Sequence, residues 1–262
     1  MNIIQAIILG IIQGLTEFLP VSSSGHLVLF QKIFGVTGPT LAFDTFVHVG
    51  TLAAIFVVFW KDIAAILKKP FQRITWLLIA GSIPTGIIGL AFNDFFEKLY
   101  DTGITLGYEF FLTGLVLLLA ERLNSGKKNE RTASYLDAAF VGAMQGAAIL
   151  PAVSRSGLTI SGALLRGFDK DFAAKFSFLL SIPAILAATA LHAKKMVEIG
   201  GLDDNLIIYA AGTLAAALSG YLSIKLMLEV LKKGKLKYFS YYVFILGALV
   251  LLDQYLLHIF FK

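Results

Sequence analysis

Apolar runs of about 20 residues recur along this chain, and they restrict its fold more than any other feature. Three clear runs occupy residues 41–60, 75–92 and 241–261. Hydrophobic residues make up 57% of the chain, compared with about 45–50% in soluble domains. Runs of this length cross a bilayer as α-helices, and the alternating pattern that a membrane β-barrel requires is absent from the sequence. The sequence therefore predicts an all-α polytopic membrane protein.

Two segments of the sequence resemble each other, GIIQGLTEFLPVSSSG at 10–25 and GAMQGAAILPAVSRSG at 142–157. Their first and last residues are both 132 positions apart, and two later pairs of segments match at offsets of 131 and 133. We interpret the chain as a single membrane domain, 1–262, with an internal duplication. Repeat one covers about 1–124 and repeat two about 138–262.

Each repeat begins with an apolar segment, 1–36 or 138–167, that Pro, Ser and Gly residues interrupt. Because these residues end helices and form turns, we predict one re-entrant helical hairpin in each repeat. Three spans follow in each repeat, at 41–60, 74–92 and 104–122 and at 172–192, 206–224 and 240–260. An odd number of spans inverts the second repeat relative to the first. The prediction is six transmembrane helices plus two re-entrant hairpins, with inverted topology.

The basic residues are distributed unevenly between the two sides of this predicted topology. Of the 22 lysines and arginines, 16 lie opposite the N-terminus and 5 lie on its side. The positive-inside rule makes the richer side cytoplasmic, so both termini and the mouth of the first hairpin are predicted to face outward. The net charge of +5 resides in these loops and does not indicate a nucleic-acid partner. The absence of Cys excludes disulfides and thiolate chemistry.

Three ionisable residues, Glu17, His26 and Arg155, lie inside the interrupted segments, where charge is costly and usually functional. If the duplication brings the two serine-rich turns together, these groups share one buried pocket. An arginine fork among hydroxyls and turn amides suits a phosphate group. The neighbours of Arg155 expected to help are Ser154, Ser156, Gly157 and Thr159. In the alternative, the two serines only cap a helix and the arginine extends to the surface.

Ser23 and His26 are three residues apart and share one face if a helix restarts after Pro20. Histidine can take a proton from a serine hydroxyl and so activate a nucleophile, although three successive serines also suit a capped turn. Glu17 can hold a divalent cation, orient His26 or pair with Arg155, and the residues alone leave these three roles open. Asp44 and His48 are four residues apart and share a helix face, and they either line the pocket or bond across helices.

The motifs QGLTEFLPVSSSGH (13–26) and LPAVSRSGLT (150–159) resemble those of the undecaprenyl-pyrophosphate phosphatase family, integral membrane phosphatases of the bacitracin-resistance type. The resemblance implies an enzyme that removes the terminal phosphate of undecaprenyl diphosphate at the outer face of the bacterial cytoplasmic membrane. Its product, undecaprenyl phosphate, is the lipid carrier for peptidoglycan synthesis. The implied partners are a polyprenyl diphosphate lipid and the membrane, with no nucleic acid. The oligomeric state, a homodimer included, stays open.

The resemblance also implies roles for particular residues. The implied catalytic residues are Ser23, His26, Glu17 and Arg155, with Glu17 also the ligand of a divalent cation, Mg²⁺ or Ca²⁺. The implied substrate-binding residues are Gln13, Ser22, Ser24, Gly25, Ser154, Ser156, Gly157 and Thr159. Our hypothesis is that Ser23 attacks the terminal phosphorus with His26 as its base, or that water positioned by His26 and Ser23 attacks directly.

Two residues bear on how closely the chain follows the family pattern. Ala152 stands where the family usually has Gly, which affects the shape of that turn more than its chemistry. Gln13 occupies a position where the family has Glu or Gln, and it leaves one fewer negative charge for a metal. The alternative function is a polyprenyl-phosphate flippase, because transporters also use inverted repeats with broken helices.

Overall fold

The computed structural model of the protein describes residues 1–36, 40–123, 126–198 and 205–261, without the side chain of Asp101. The predicted end of repeat one, residue 124, and the C-terminal Lys262 lie outside the described residues. Within these ranges the chain is helical and contains no β-strand. Its α-helices are α1 (Ile3–Phe18), α2 (Ser23–Ile33), α3 (Leu41–Val58), α4 (Trp60–Lys68), α5 (Arg73–Ala91), α6 (Asn93–Thr102), α7 (Leu106–Glu121), α8 (Tyr135–Ala147), α9 (Arg155–Leu165), α10 (Lys170–Glu198), α11 (Leu206–Lys233) and α12 (Lys237–Leu252).

Five helical segments in the described ranges are long and apolar enough to cross a membrane: Leu41–Val58, Arg73–Ala91, Lys170–Glu198, Leu206–Lys233 and Lys237–Leu257. The prediction of an all-helical, multi-pass membrane protein is confirmed. Of the six predicted spans, only 104–122 is not among these five, and it contains helix α7 of 16 residues. At 1.5 Å per residue α7 is about 24 Å long, shorter than the roughly 30 Å of bilayer hydrocarbon.

Helices α1 and α8, the first helices of the two predicted repeats, begin with the same capping arrangement. The Asn2 side chain accepts from the Gln5 backbone amide, and the Gln5 side chain accepts from the Asn2 amide. Ser134 and Asp137 make the same reciprocal pair at the start of α8. Each capping box satisfies two amides that have no intrahelical partner.

Asp137 has further partners, and we call Asp137 with Lys128, Ser134 and Arg166 the Asp137 cluster. Lys128 Nζ and Arg166 Nε lie 2.8 Å and 2.7 Å from its two carboxylate oxygens. Burial raises the pKa of Asp137, but the hydrogen bonds from Lys128, Ser134 and Arg166 outweigh burial and hold the pKa well below its usual value. The cluster fixes the start of α8 to the loop before it and to the end of α9.

Glycines allow helices to approach closely at equivalent places in the two predicted repeats. Gly10 of α1 packs against the Gly212 backbone of α11, and Gly142 of α8 packs against the Gly81 backbone of α5. At each contact a Cβ atom would overlap the facing carbonyl. These glycines therefore let α1 pack directly against α11 and α8 against α5.

The helical hairpins α1–α2 and α8–α9 each turn at an interruption that the sequence predicts. We call residues 19–22 elbow 1 and residues 148–154 elbow 2. Helix α1 ends before Leu19, whose extended backbone (φ −73°, ψ 147°) is the one favoured before a proline such as Pro20. The Ser22 hydroxyl caps α2 and the Ser154 hydroxyl caps α9, each by accepting a backbone amide of its own first turn.

Candidate active site

The two elbows touch, and serine hydroxyls hold them together. The hydroxyls of Ser22 and Ser24 both donate to the Pro151 carbonyl, at 3.0 Å and 2.8 Å. In the opposite direction, the Ser156 hydroxyl donates to the Leu19 carbonyl at 3.0 Å. The juxtaposition that the duplication predicts is therefore present. Its cause is a set of hydrogen bonds from serine side chains, in or just after one elbow, to carbonyls of the other.

A buried ion pair between Glu17 and Arg155 joins the two hairpins at this contact. Glu17 lies in the last turn of α1 and Arg155 is the first residue of α9, and Arg155 Nη2 donates to Glu17 Oε1. The side chains are 5% and 17% exposed, respectively. Arg155 Nη1 is buried and has no hydrogen-bond partner among the residues that the structure describes. The guanidinium therefore retains a free donor beside the N-terminus of α9.

The second carboxylate oxygen of Glu17 accepts from two side chains. Gln13 Nε2 donates to Glu17 Oε2 at 2.9 Å, as expected for residues four apart on α1, and the Ser23 hydroxyl donates to the same oxygen. His48 Nε2 lies 3.9 Å from it. A serine hydroxyl hydrogen-bonded to a carboxylate is already in position to give up its proton, and hydrogen bonds to charged acceptors are strong.

His26 does not contact Ser23, which corrects the pairing predicted from their spacing. Its Nδ1 lies 2.6 Å from the Ser22 carbonyl oxygen, and its Nε2 lies 2.8 Å from the Tyr242 hydroxyl. In the described part of the chain both ring nitrogens are thus engaged, while the Ser23 hydroxyl turns to Glu17. The carboxylate competes better for the hydroxyl proton because it is charged.

Sequence comparison with known proteins places the chain in a family. A sequence profile described as "Bacitracin resistance protein BacA" matches residues 6–249. The chain belongs to the bacitracin resistance protein BacA family. A protein named undecaprenyl-diphosphatase from Carboxydothermus hydrogenoformans is 58% identical over 258 residues, covering 97% of this chain and 98% of that protein. A protein of the same name from Halothermothrix orenii is 45% identical, covering 96% and 98%. Undecaprenyl-diphosphatase 4 of Bacillus thuringiensis is 45% identical, covering 99% and 100%.

The glycines of the BacA-family motifs permit the close contact between elbows. A Cβ on Gly25 would lie 2.9 Å from the Ala152 Cβ and 2.8 Å from the Phe110 ring. A Cβ on Gly157 would lie 3.0 Å from Ser154 and 3.4 Å from Pro20. Gly25 and Gly157 therefore act through packing.

Ala152, at the position where the resemblance implies glycine, adopts an ordinary backbone conformation with negative φ, so its side chain causes no strain there. Its backbone amide and carbonyl both have side-chain partners on helix α7, Glu109 and Thr113. The shape of elbow 2 therefore accommodates a side chain at this position.

The remaining predicted phosphate-binding hydroxyls have partners within the protein. Ser154 caps α9 and lies 3.3 Å from the Ser156 hydroxyl. Thr159 donates to the Arg155 carbonyl at 2.8 Å and lies 2.6 Å from the Ser177 hydroxyl of α10. Thr159 is thus turned toward α10, away from the ion pair, and the structure does not bring its side chain together with the others.

Helix α7 contributes two polar residues to the site that the sequence did not single out. Glu109 Oε2 accepts from the Ala152 amide at 2.5 Å. Thr113 Oγ1 donates to the Ala152 carbonyl at 3.3 Å and accepts from the Ser154 amide at 3.0 Å. Together they fix the backbone of elbow 2. A glutamate inside an apolar segment was a detectable signal, because ionisable groups at membrane depth are costly.

Tyr100 of α6 is another residue that the sequence did not single out. Burial raises its pKa to about 12, with Ser24 opposing and the carboxylates of Glu109, Glu17 and Asp44 adding to the effect. Its phenol lies beside the Ser24 hydroxyl of α2 and remains protonated near neutral pH. Its spacing in the sequence gave no indication of this position, because α6 and elbow 1 are far apart in the chain.

A divalent cation would find few protein ligands at this site. The described residues contain no group of three or more His, Cys, Asp or Glu side chains arranged to hold a metal. However, Gln13 Oε1 is buried beside Glu17 without a partner in the described ranges. An amide oxygen and a carboxylate suit Mg²⁺, which takes one or two carboxylates and completes its shell with phosphate oxygens and water. The residues therefore fit a cation that is held jointly with the substrate.

Proposed function

We propose that this BacA-family protein hydrolyses undecaprenyl diphosphate to undecaprenyl phosphate and inorganic phosphate, and so recycles the lipid carrier for peptidoglycan synthesis. The names of its relatives support the substrate. The observation that carries the reaction type is a serine hydroxyl, that of Ser23, donating to a buried carboxylate that is paired with an arginine. A nucleophile, a proton acceptor and an anion-binding group are thus adjacent at the elbow contact.

Arg155 is the main phosphate-binding group in this proposal. Its guanidinium keeps one buried donor free and stands at the first residue of α9, where backbone amides also favour an anion. The neighbouring serine hydroxyls already donate within the protein, so the arginine and the amides bear the phosphate charge. As the bond to the leaving phosphate breaks, the same cation stabilises the charge that develops on the bridging oxygen.

Ser23 is the nucleophile. Its Oγ forms a bond to the terminal phosphorus, the bond from that phosphorus to the bridging oxygen breaks, and undecaprenyl phosphate leaves. Glu17 takes the hydroxyl proton, because it is the group that already accepts from Ser23. Water then cleaves the phosphoserine and releases inorganic phosphate. Direct attack by a water molecule that Ser23 and Glu17 orient uses the same residues.

A divalent cation, Mg²⁺ or Ca²⁺, belongs to this proposal as a group shared between protein and substrate. Glu17 and Gln13 would hold it, and when bound it would neutralise part of the diphosphate charge. Chelation is therefore expected to lower phosphate release.

The finer architecture is also a proposal. Six spans and two re-entrant hairpins would place the elbows near the middle of the bacterial cytoplasmic membrane, with both termini and the mouth of the site on the outer face. The uneven distribution of basic residues supports this orientation. The turns between α1 and α2 and between α8 and α9 support the two re-entrant hairpins.

The decisive experiment is phosphate release from undecaprenyl diphosphate by the purified protein in detergent micelles. Ser23→Ala should lower kcat by at least about 100-fold, the usual contribution of an activated group. Ser161→Ala is the matched control, because its hydroxyl is buried on α9 without a partner in the described chain. Near-normal turnover by Ser23→Ala would exclude the serine as nucleophile and leave direct attack by water. No release by the wild-type protein with Mg²⁺ or Ca²⁺ would favour the flippase, which needs the arginine but not the serine.

A further inference from the structure

The two hydrogen bonds of His26 determine which ring nitrogen carries the proton. A carbonyl oxygen only accepts, so the 2.6 Å contact with the Ser22 carbonyl requires a hydrogen on Nδ1. In the neutral ring Nε2 then has a lone pair, and it accepts from the Tyr242 hydroxyl at 2.8 Å. The Ser22 carbonyl thus selects the tautomer of His26, and the hydroxyl of Tyr242, 216 positions away in the sequence, satisfies the ring nitrogen that remains.

Aromatic packing also prevents the His26 ring from turning. The Tyr242 ring stacks on it with centroids 5.7 Å apart and planes at 14°. On another side the Phe110 ring meets it edge-on, with centroids 5.6 Å apart and planes at 84°. His26 is only 2% exposed. Its orientation is therefore set by α7 and α12, and its hydrogen-bonding groups point to Ser22 and Tyr242 alone.

The backbone that His26 holds is unusual. Ser22 has φ +69° and ψ 103°, a conformation that residues other than glycine rarely adopt and that persists only where surrounding contacts impose it. Ser22 immediately precedes Ser23, so its conformation decides where the Ser23 hydroxyl points. The Nδ1 hydrogen of His26 is one of the contacts that impose it, since it binds the carbonyl of this residue.

We infer that Tyr242 and His26 form a positioning pair that holds elbow 1 through the Ser22 carbonyl and so directs the Ser23 hydroxyl to Glu17. The Ser22 carbonyl fixes the tautomer of the imidazole, Tyr242 holds its plane and binds Nε2, and the imidazole fixes the turn. His26 thereby acts on the reaction through its Nδ1 hydrogen, with Glu17 as the proton acceptor. The inference rests on the proposed function, because it explains how the nucleophile of that reaction is aligned.

The activity test compares two replacements of His26. In His26→Asn the amide nitrogen takes the place of Nδ1 and still donates to the Ser22 carbonyl, but no imidazole remains. In His26→Leu the side-chain donor is lost, and the Ser22 carbonyl keeps only the longer bond, 3.3 Å, from the backbone amide of residue 26. We expect His26→Asn to retain kcat within about tenfold of wild type. We expect His26→Leu to lose about 100-fold, the cost of misplacing a reacting group by about 1 Å. KM should change little in either variant, because neither side chain binds the phosphate.

Tyr242→Phe removes only the hydroxyl. We expect kcat to fall about 3- to 10-fold, the effect of one neutral hydrogen bond, with KM unchanged. Tyr241→Phe changes the adjacent tyrosine, which is exposed to a similar degree (51% against 45%), so it is the matched control and should behave as wild type. The inference is overturned if Tyr242→Phe turns over at the wild-type rate. It is also overturned if His26→Asn is as inactive as His26→Leu, because the imidazole itself would then be required.

A second measurement separates this inference from the proposed function. NMR of protein labelled with ¹⁵N-histidine, with His26→Asn to assign the signal, should show a neutral ring protonated at Nδ1. In Tyr242→Phe the Nε2 signal should shift, because it loses its donor. A ring protonated at Nε2, or at both nitrogens, would refute the positioning pair whatever the activity. If the wild-type protein releases no phosphate, the proposed function fails while this measurement still decides the tautomer.

Discussion

The ion pair between Glu17 and Arg155 can be tested by a double-mutant cycle. The single variants are Glu17→Gln and Arg155→Met, and the third is the double variant. Both side chains are largely buried, at 5% and 17% exposure, so each single change leaves one charge without its counter-ion in a poorly solvated place. Removing one partner of a buried pair costs about 3–5 kcal/mol of unfolding free energy, whereas removing both is often nearly neutral.

The structure places the two single variants near the lower end of this range. In Arg155→Met, the Glu17 carboxylate still accepts from Gln13 and Ser23. In Glu17→Gln, an amide oxygen can still accept from the arginine. We therefore expect a loss of about 3 kcal/mol for each single variant and no more than about 3 kcal/mol for the double variant, a coupling of about 3 kcal/mol.

The assay for this cycle is SDS titration of the purified protein in mixed micelles, with helicity followed by circular dichroism. Ser161→Ala serves as the control for preparation and handling, because it removes a hydroxyl that has no partner in the described residues. If the losses of the two single variants add up in the double variant, the two charges do not interact. The argument that the hairpins are joined through this pair would then be wrong.

Three further outcomes follow from contacts outside the ion pair. Gly142→Ala should destabilise the protein by roughly 1–3 kcal/mol, because its Cβ overlaps the Gly81 carbonyl, whereas Gly86→Ala, with open space around it, should not. Glu109→Leu should cost about 1–3 kcal/mol by leaving the elbow 2 amide unpaired, whereas Glu109→Gln keeps an acceptor and should cost less. Because the pKa of Asp137 is lower in the folded than in the unfolded state, its charged form stabilises the fold at any pH above the ordinary aspartate pKa of about 3.9. The difference in unfolding free energy between wild type and Asp137→Asn should therefore be constant near neutral pH and shrink as the pH falls below about 4. A gap that widens on acidification would contradict the Asp137 cluster.

The helices and their interruptions were predictable from the sequence because each depends on local chemistry. A proline forces Leu19 into an extended backbone, and serine hydroxyls cap the helices that restart after each elbow. What the sequence did not predict were the short helices α4 and α6, of nine and ten residues. Helices of that length are marginal alone and form only where tertiary or interfacial contacts stabilise them.

At the site, the sequence predicted which residues lie close together but not which of them form hydrogen bonds with one another. The matching offsets of the two motifs indicated that Glu17 and Arg155 would converge. The spacing of Ser23 and His26 favoured a hydrogen bond between them. That prediction was wrong, because the Ser23 hydroxyl donates to Glu17 and His26 bonds to Ser22 and Tyr242. The partner of His26 is Tyr242 on α12, and no local pattern indicates a contact over that separation. The choice between two acceptors is a matter of three-dimensional geometry and charge.

The role of Ser156 tests whether the serines of elbow 2 bind phosphate, as the motif predicts, or hold the elbows together, as their contacts indicate. The Ser156 hydroxyl donates to the Leu19 carbonyl across the elbow contact, and the residue is only 1% exposed. Ser156→Ala should therefore lower the unfolding free energy by about 1 kcal/mol, the net value of one hydrogen bond, and leave KM for undecaprenyl diphosphate within about twofold. Arg155→Lys, which loses the fork but keeps the charge, should instead raise KM. A tenfold increase in KM for Ser156→Ala with unchanged stability would assign the hydroxyl to the phosphate, and the elbow contact would then need another explanation.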